Sequence, residues 1–453
     1  MTIPDTFRVR DADLYAEELQ NEYTQCVDEG LDICAFKTLF HSAAALPAGQ
    51  VKTQIADALF TAVSYAPQVQ DYAYYEPNDL DAIRAEREPF PLNNPIIPDV
   101  HTLSQKIRGA WYGRICGCLL GKPLEGIRSE ELIPLLRQTG NYPMYRYPLR
   151  SEITDEICAA YKFDLRNKQF ADQLDCAPAD DDTNYTVLAQ RLIARYGFNF
   201  TSADVLEMWL HAQPACAYFT AEQVAYRNRV AGLLPPYTAT VKNPFREWIG
   251  AQIRGDYFGY ICAGDPETAA ALAWRDARIS HVKNGIYGEM FISAMIAAAA
   301  VTDDLCEIIR CGLGQIPAKS RLHARIFEVL DGYANGVDAQ ACFDRIHSLY
   351  DEHTGYGWCH TISNAMIVAA SLLYGEGDFG RSICLAVQAA FDTDCNGATV
   401  GSVLGMRGGM DCIDPYWIEP LHGKLHTQIQ DVGTVEIESL VQNTVQHIRE
   451  QSL

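Results

Sequence analysis

The chain has 453 residues, 48% of them hydrophobic, an ordinary share for a globular protein. Its 36 basic and 58 acidic residues leave a net charge of −22, which argues against DNA or RNA binding and against docking on an anionic membrane, since both need Lys and Arg. No apolar run approaches the ~20 residues of a membrane span, the start lacks a charged-then-apolar leader, and 15 scattered cysteines fit reduced thiols, so a cytoplasmic setting is expected.

Residues 1–100 carry 17 acidic and 6 basic residues, a charge of −11 and half the total. Apolar spacing predicts helices over 14–19, 26–39 and 51–63. Pro89, Pro91, Pro95 and Pro98 then place a linker at about 88–101, whose Phe90, Leu92, Ile96 and Ile97 are expected to pack on a surface. The chain divides into an acidic helical extension, 1–100, and a main domain, 102–453. The extension is free to cap an active site, support oligomerisation or bind a partner.

Beyond the linker the pattern is helical almost throughout. Helices are predicted over 107–120, 183–196, 289–301, 363–374 and 382–391, with Gly197 as a C-terminal stop. Gly109, Ala110, Gly113 and Gly117 let another helix approach the first of these closely. A short β segment is expected around 142–147. The fold class is all-α.

Two acidic stretches are the candidate site: Asp180-Asp181-Asp182-Thr183 and Asp392-Thr393-Asp394-Cys395-Asn396-Gly397. Each adjoins an apolar helical segment, where a carboxylate is costly unless neutralised. Divalent cations neutralise such groups, because hard ions prefer oxygen ligands. Asp182 precedes the 183–196 helix, whose N-terminus favours negative charge. Asp392 and Asp394 follow the 382–391 helix, and in an extended or turned backbone their i, i+2 spacing puts both on one side. The competing readings are an exposed capping turn for the triple aspartate and solvated loops for both. Cys116-Gly117-Cys118 reads as packing beside a glycine-rich turn.

Four elements in order over about 105–410 resemble the ADP-ribosylglycohydrolase family, which includes the dinitrogenase reductase-activating glycohydrolases. They are Gly109-Ala110-Trp111-Tyr112-Gly113 through Gly121-Lys122-Pro123-Leu124-Glu125; the triple aspartate with Thr183; Gly250-Ala251-Gln252-Ile253-Arg254 with Ser280-His281; and 392–399. The resemblance implies an all-α orthogonal helical bundle with two divalent cations, Mg²⁺ or Mn²⁺. It implies metal ligands at Asp180, Asp181, Asp182, Asp392 and Asp394, catalytic roles for Glu125, Asp181 and Asp392, and substrate contacts at Cys118, Gly121, Arg254, His281 and Asn396. Members usually have Ser or Thr where this chain has Asp180 and Cys395, and many have Asp at Cys118. A thiol is a poor Mg²⁺ ligand, so completion of the second metal site is open. The expected chemistry is hydrolysis of a ribosyl N- or O-glycosidic bond of an ADP-ribosylated protein or ADP-ribosyl small molecule. A nucleoside or ribosyl N-hydrolase, and a non-catalytic binding protein, are the alternatives.

Overall fold

Glycines at 109, 113, 117 and 121 recur every four residues, so one helix carries all of them on a single face. In the computed structural model, which describes residues 14–93 and 95–451, that helix spans Val100–Gly121. Asp99 caps it, accepting from the backbone N–H of His101 at 2.8 Å and of Thr102 at 3.0 Å.

Its glycine face meets Gly405, Gly401 and Gly397 of the antiparallel Thr393–Gly408 helix. A Cβ on Gly109, Gly113 or Gly117 would lie 2.4, 2.1 and 1.9 Å from the carbonyl oxygens of Gly405, Gly401 and Gly397. The two backbones therefore touch with no side chain between them, a contact that only small residues permit. At one end of the pair, Gly121 lies against the backbone of Thr393 and Asp394. The C-terminus of one helix thus meets the N-terminus of the other at an acidic pole.

Fully buried helices at Asn284–Ala299 and Thr361–Tyr374 surround this pair, within one large apolar core. The described residues are 64% helical, and the fold is all-α. Among the described residues the strands are Lys424–His426 and Thr434–Glu436, antiparallel with Leu425 opposite Val435. The strand expected at 142–147 is absent: Asn141 instead closes a loop there, donating to Arg146 O at 3.0 Å and accepting from Tyr145 N–H at 3.1 Å.

The N-terminal expectations need correction in two places. Residues 14–18 form a turn, and the first helix is Leu19–Asp28. The helix expected over 26–39 is broken at Gly30, whose φ is +76° and whose missing Cβ makes room for the Tyr72 ring, 2.3 Å from where it would sit. A new helix then runs Lys37–Ala44. The third expectation is met by Gln50–Ser64. These elements enclose a small core of their own, from Tyr15 through Phe40 to Val63. In the proline-rich stretch Phe90 and Leu92 pack against the main core, whereas Ile96 is 82% exposed, contrary to expectation.

Candidate active site

The Asp181–Tyr196 helix begins two residues earlier than predicted, because Asp180 is its cap: Oδ1 accepts from Asp182 N–H at 2.9 Å. Asp181 and Asp182 occupy the first turn, where the helix dipole favours negative charge. Asp180 Oδ2 is salt-bridged to Lys122, which lies in a short turn just beyond the Val100–Gly121 helix. Fully buried Arg114, from that same helix, pairs with Asp182 Oδ1 at 3.1 Å and Asp256 Oδ1 at 2.9 Å. Asp182 Oδ2 is buried with no hydrogen-bond partner.

The second acidic stretch is reached through strain. The predicted 382–391 helix is Phe379–Gln388, and Ala390 and Phe391 follow with φ of +61° and +56°, a left-handed conformation costly for side-chain-bearing residues. Two contacts hold the turn: Trp358 Nε1 donates to Phe391 O at 2.6 Å, and Asn364 Oδ1 accepts from Asp392 N–H at 3.2 Å and Asn396 Nδ2 at 2.8 Å. The backbone is helical from Thr393 onward. Asp394 therefore stands in a first helical turn, so of the two backbones expected there, extended or turned, the turned one is found. Thr393 Oγ1 donates to Gly121 O at 2.9 Å, tying this helix start to the glycine contact. Asp394 Oδ1 is also buried and unpartnered.

Glu125 leaves the Lys122–Leu124 turn with an extended backbone and meets these carboxylates. Three sets of side chains have ligand atoms within 4.8 Å of one another: Glu125, Asp392 and Asp394; Asp182, Asp394 and Cys395; and Cys118, Asp180 and Asp182. Asp181 is partly exposed at the edge of the cluster.

Crowding shows in the acidities. The Asp394 charge, then burial, push Glu125 up to about 8. Burial and the Asp180 charge push Asp394 up to about 7. Burial, with neighbouring carboxylates, holds Asp181, Asp182 and Asp392 well above the usual range. Asp180 is the exception: burial opposes ionisation, but the Lys122 ammonium outweighs it and lowers its pKa. The Glu125–Asp392–Asp394 set is all oxygen and fits a hard divalent cation. The other two each include a thiol, and burial pushes both Cys118 and Cys395 well above the ordinary thiol range.

The sequence model of one family, ADP-ribosylglycohydrolase, matches residues 99–452. The chain belongs to the ADP-ribosylglycohydrolase family. These are glycosyl hydrolases, and the acidic pole falls inside the matched region. The chain is also similar to a solved structure described as an ADP-ribosylglycohydrolase-related protein complex, with 17% sequence identity and a TM-score of 0.45 over 77% of this chain and 99% of that one. No curated protein matches the chain. Among the described residues no helix is long and apolar enough to cross a membrane.

The remaining positions that the ADP-ribosylglycohydrolase resemblance singled out fall into two groups. Cys118, Gly121 and Asn396 lie at the pole, although Gly121 is filled by backbone and Asn396 Nδ2 is spent on Asn364. Arg254 and His281 stand in a buried ionic cluster, and His281 belongs to none of the three ligand sets. Arg254 pairs with Glu222 and Asp276, both at 2.5 Å, and stacks over Trp209 at 5.0 Å. His281 Nδ1 is 2.8 Å from Ser280 Oγ, and burial, with the Arg254 charge, keeps its imidazole neutral.

Sequence reasoning missed Lys122, Arg114, Asn364, Trp358 and Cys359, whose Sγ lies 3.9 Å from Asp392 Oδ2. Lys122 was in view within a quoted motif. Its ammonium beside an added aspartate was the available signal.

Proposed function

We propose that the chain is a divalent-cation-dependent glycosyl hydrolase that cleaves the N- or O-glycosidic bond at the anomeric carbon of a ribose, in an ADP-ribosylated protein or ADP-ribosyl small molecule. The observation that carries this is the gathering of five carboxylates from three separate chain segments, with Asp182 Oδ2 and Asp394 Oδ1 buried and unanswered, in a member of this family. Glu125, Asp392 and Asp394 would hold Mg²⁺ or Mn²⁺, with Asp181 and Asp182 at its flank. When bound, the ion supplies Lewis acidity and offsets the carboxylate charge.

The protein's own groups do the rest. The Glu125 carboxylate stands at a partly exposed turn, and the oxygen it keeps free of the ion would take the proton of an attacking water. The Asp392 and Asp181 carboxylates would accept hydrogen bonds from the ribose hydroxyls and so orient the sugar. Charge that builds on the ring in an oxocarbenium-like transition state is stabilised by the surrounding carboxylates. Cys118, beside Asp180 and Asp182, replaces a carboxylate with a thiol at an expected substrate contact. That exchange favours one second reading, a nucleoside or ribosyl N-hydrolase on the same scaffold.

Mass spectrometry of hydrolysis products separates them. The protein is incubated with arginine- and serine-linked ADP-ribosyl peptides, ADP-ribose derivatives and plain nucleosides, with Mg²⁺ or Mn²⁺ and with EDTA. Free ADP-ribose that disappears with EDTA is the expected result. Free ribose and a base would establish the second reading, and no turnover of any substrate with either metal would sink both.

A further inference from the structure

Two cations are what the family resemblance implies, and one side chain competes for a place among them. Both oxygens of Asp180 are engaged, Oδ1 by Asp182 N–H at 2.9 Å and Oδ2 by Lys122 Nζ. Lys122 is 18% exposed and Asp180 3%, so the ammonium is a largely enclosed part of the cluster. The resemblance expects Asp at 118 and a hydroxyl residue at 180. Here the carboxylate has changed places, from 118 to 180, between residues whose ligand atoms lie within 4.8 Å of each other, and a tethered cation sits on it.

Resting on the metal reading above, we infer that the Lys122 ammonium takes the place of one of the two cations, so that the centre binds a single divalent ion on Glu125, Asp392 and Asp394. Three observations converge on this. The set containing Asp180 has one member already ion-paired to Lys122 and another, Cys118, that is a poor ligand for a hard ion. A dication placed there would also face the fixed ammonium at short range, in a site that screens the repulsion weakly. One ion is still required, because Lys122 answers neither Asp182 Oδ2 nor Asp394 Oδ1, which stay buried without partners. The all-oxygen set lies next to both, since Asp394 belongs to it and Asp182 is within ligand distance of Asp394.

The test counts ions rather than turnover. The metal-free full chain is titrated with Mn²⁺, followed by electron paramagnetic resonance and by elemental analysis after gel filtration. The wild type is expected to retain one Mn²⁺ per chain, with the hyperfine-split signal of an isolated ion. The triple variant C118D/K122M/D180T removes the ion pair and returns the carboxylate to 118, where the resemblance expects it. It is expected to take two, with the broadened signal of a spin-coupled pair, whereas K122R keeps the cation and stays at one. Two Mn²⁺ in the wild type would overturn the inference whatever the variants do. One in the triple variant would overturn it as well, because Lys122 would not be what excludes the second. No Mn²⁺ in any of them would overturn the metal reading itself.

Discussion

Two of the protein's buried acidic clusters differ in what answers them. Where the N-terminal helices meet the main body, Arg246 pairs with Glu22 at 2.6 Å and Glu29 at 2.7 Å, Lys283 with Glu29 at 2.6 Å, and Arg321 with Glu76 at 2.8 Å and Glu247 at 2.7 Å. Burial works against ionising Glu29 and Glu247, yet these basic groups outweigh it and hold both below the usual carboxylate range. At the pole six carboxylates face Lys122 and a shared Arg114, and all but Asp180 are pushed upward. A cluster whose charges close on themselves is structural. A cluster left short of positive charge is one that a ligand completes.

The sharpest way to break that distinction is Asp392→Ala. It is expected to cost several kcal/mol of transition-state stabilisation, roughly a thousandfold or more in turnover. The metal-free variant should melt no lower than the wild type, since one repelling charge is gone; a lower melting temperature would make the pole structural. Arg321→Ala should do the opposite. It strands Glu76 and Glu247 and is expected to lower stability by about 3 kcal/mol or more, read by chemical denaturation; an unchanged midpoint would refute the pairing.

Gly117→Ala comes next. Its Cβ would meet the Gly397 carbonyl oxygen at 1.9 Å, so overpacking should cost about 1–3 kcal/mol and weaken Mn²⁺ binding by spreading the pole, whereas the Arg321 variant should leave Mn²⁺ affinity intact. The gentlest test is pH. Asp394 and Glu125 have folded-state pKa values raised to about 7 and about 8 from unfolded values near 4. In metal-free protein their contribution is therefore present below about pH 4 and lost as pH rises through those raised values. Glu29 and Glu247 are lowered, so theirs is present above about pH 4.3 and lost as pH falls. Melting of the metal-free protein should decline from pH 5 to about pH 8, and Mn²⁺ should flatten that slope; a decline that Mn²⁺ does not change would count against the pole as its origin.

What could be read in advance follows a physical divide. The long apolar helices were legible because each announces itself in a local period, and the family motifs named the carboxylates that meet at the pole. Their partners were not legible. Lys122 reaches Asp180 across 58 residues, Arg114 reaches Asp182 across 68, and Asn364 reaches Asp392 across 28. No spacing rule links such pairs. Arg254, named by its motif, likewise pairs with Glu222 and Asp276, 32 and 22 residues away. The helix expected over 26–39 failed because a single glycine at 30 admits a distant tyrosine ring, which local hydrophobicity does not record.

The bare contact between the Val100–Gly121 and Thr393–Gly408 helices sets a ruler for the pole. Most separations between helices can be retuned in evolution by trading a larger residue for a smaller one. Here the spacer is the polypeptide itself, so Gly121 and Asp394 are held at a separation that a side chain on the facing glycines would only lengthen. In this chain, what can change without moving the gauge is what surrounds it: the groups at 118, 122, 180 and 395, and whatever is laid across the opening.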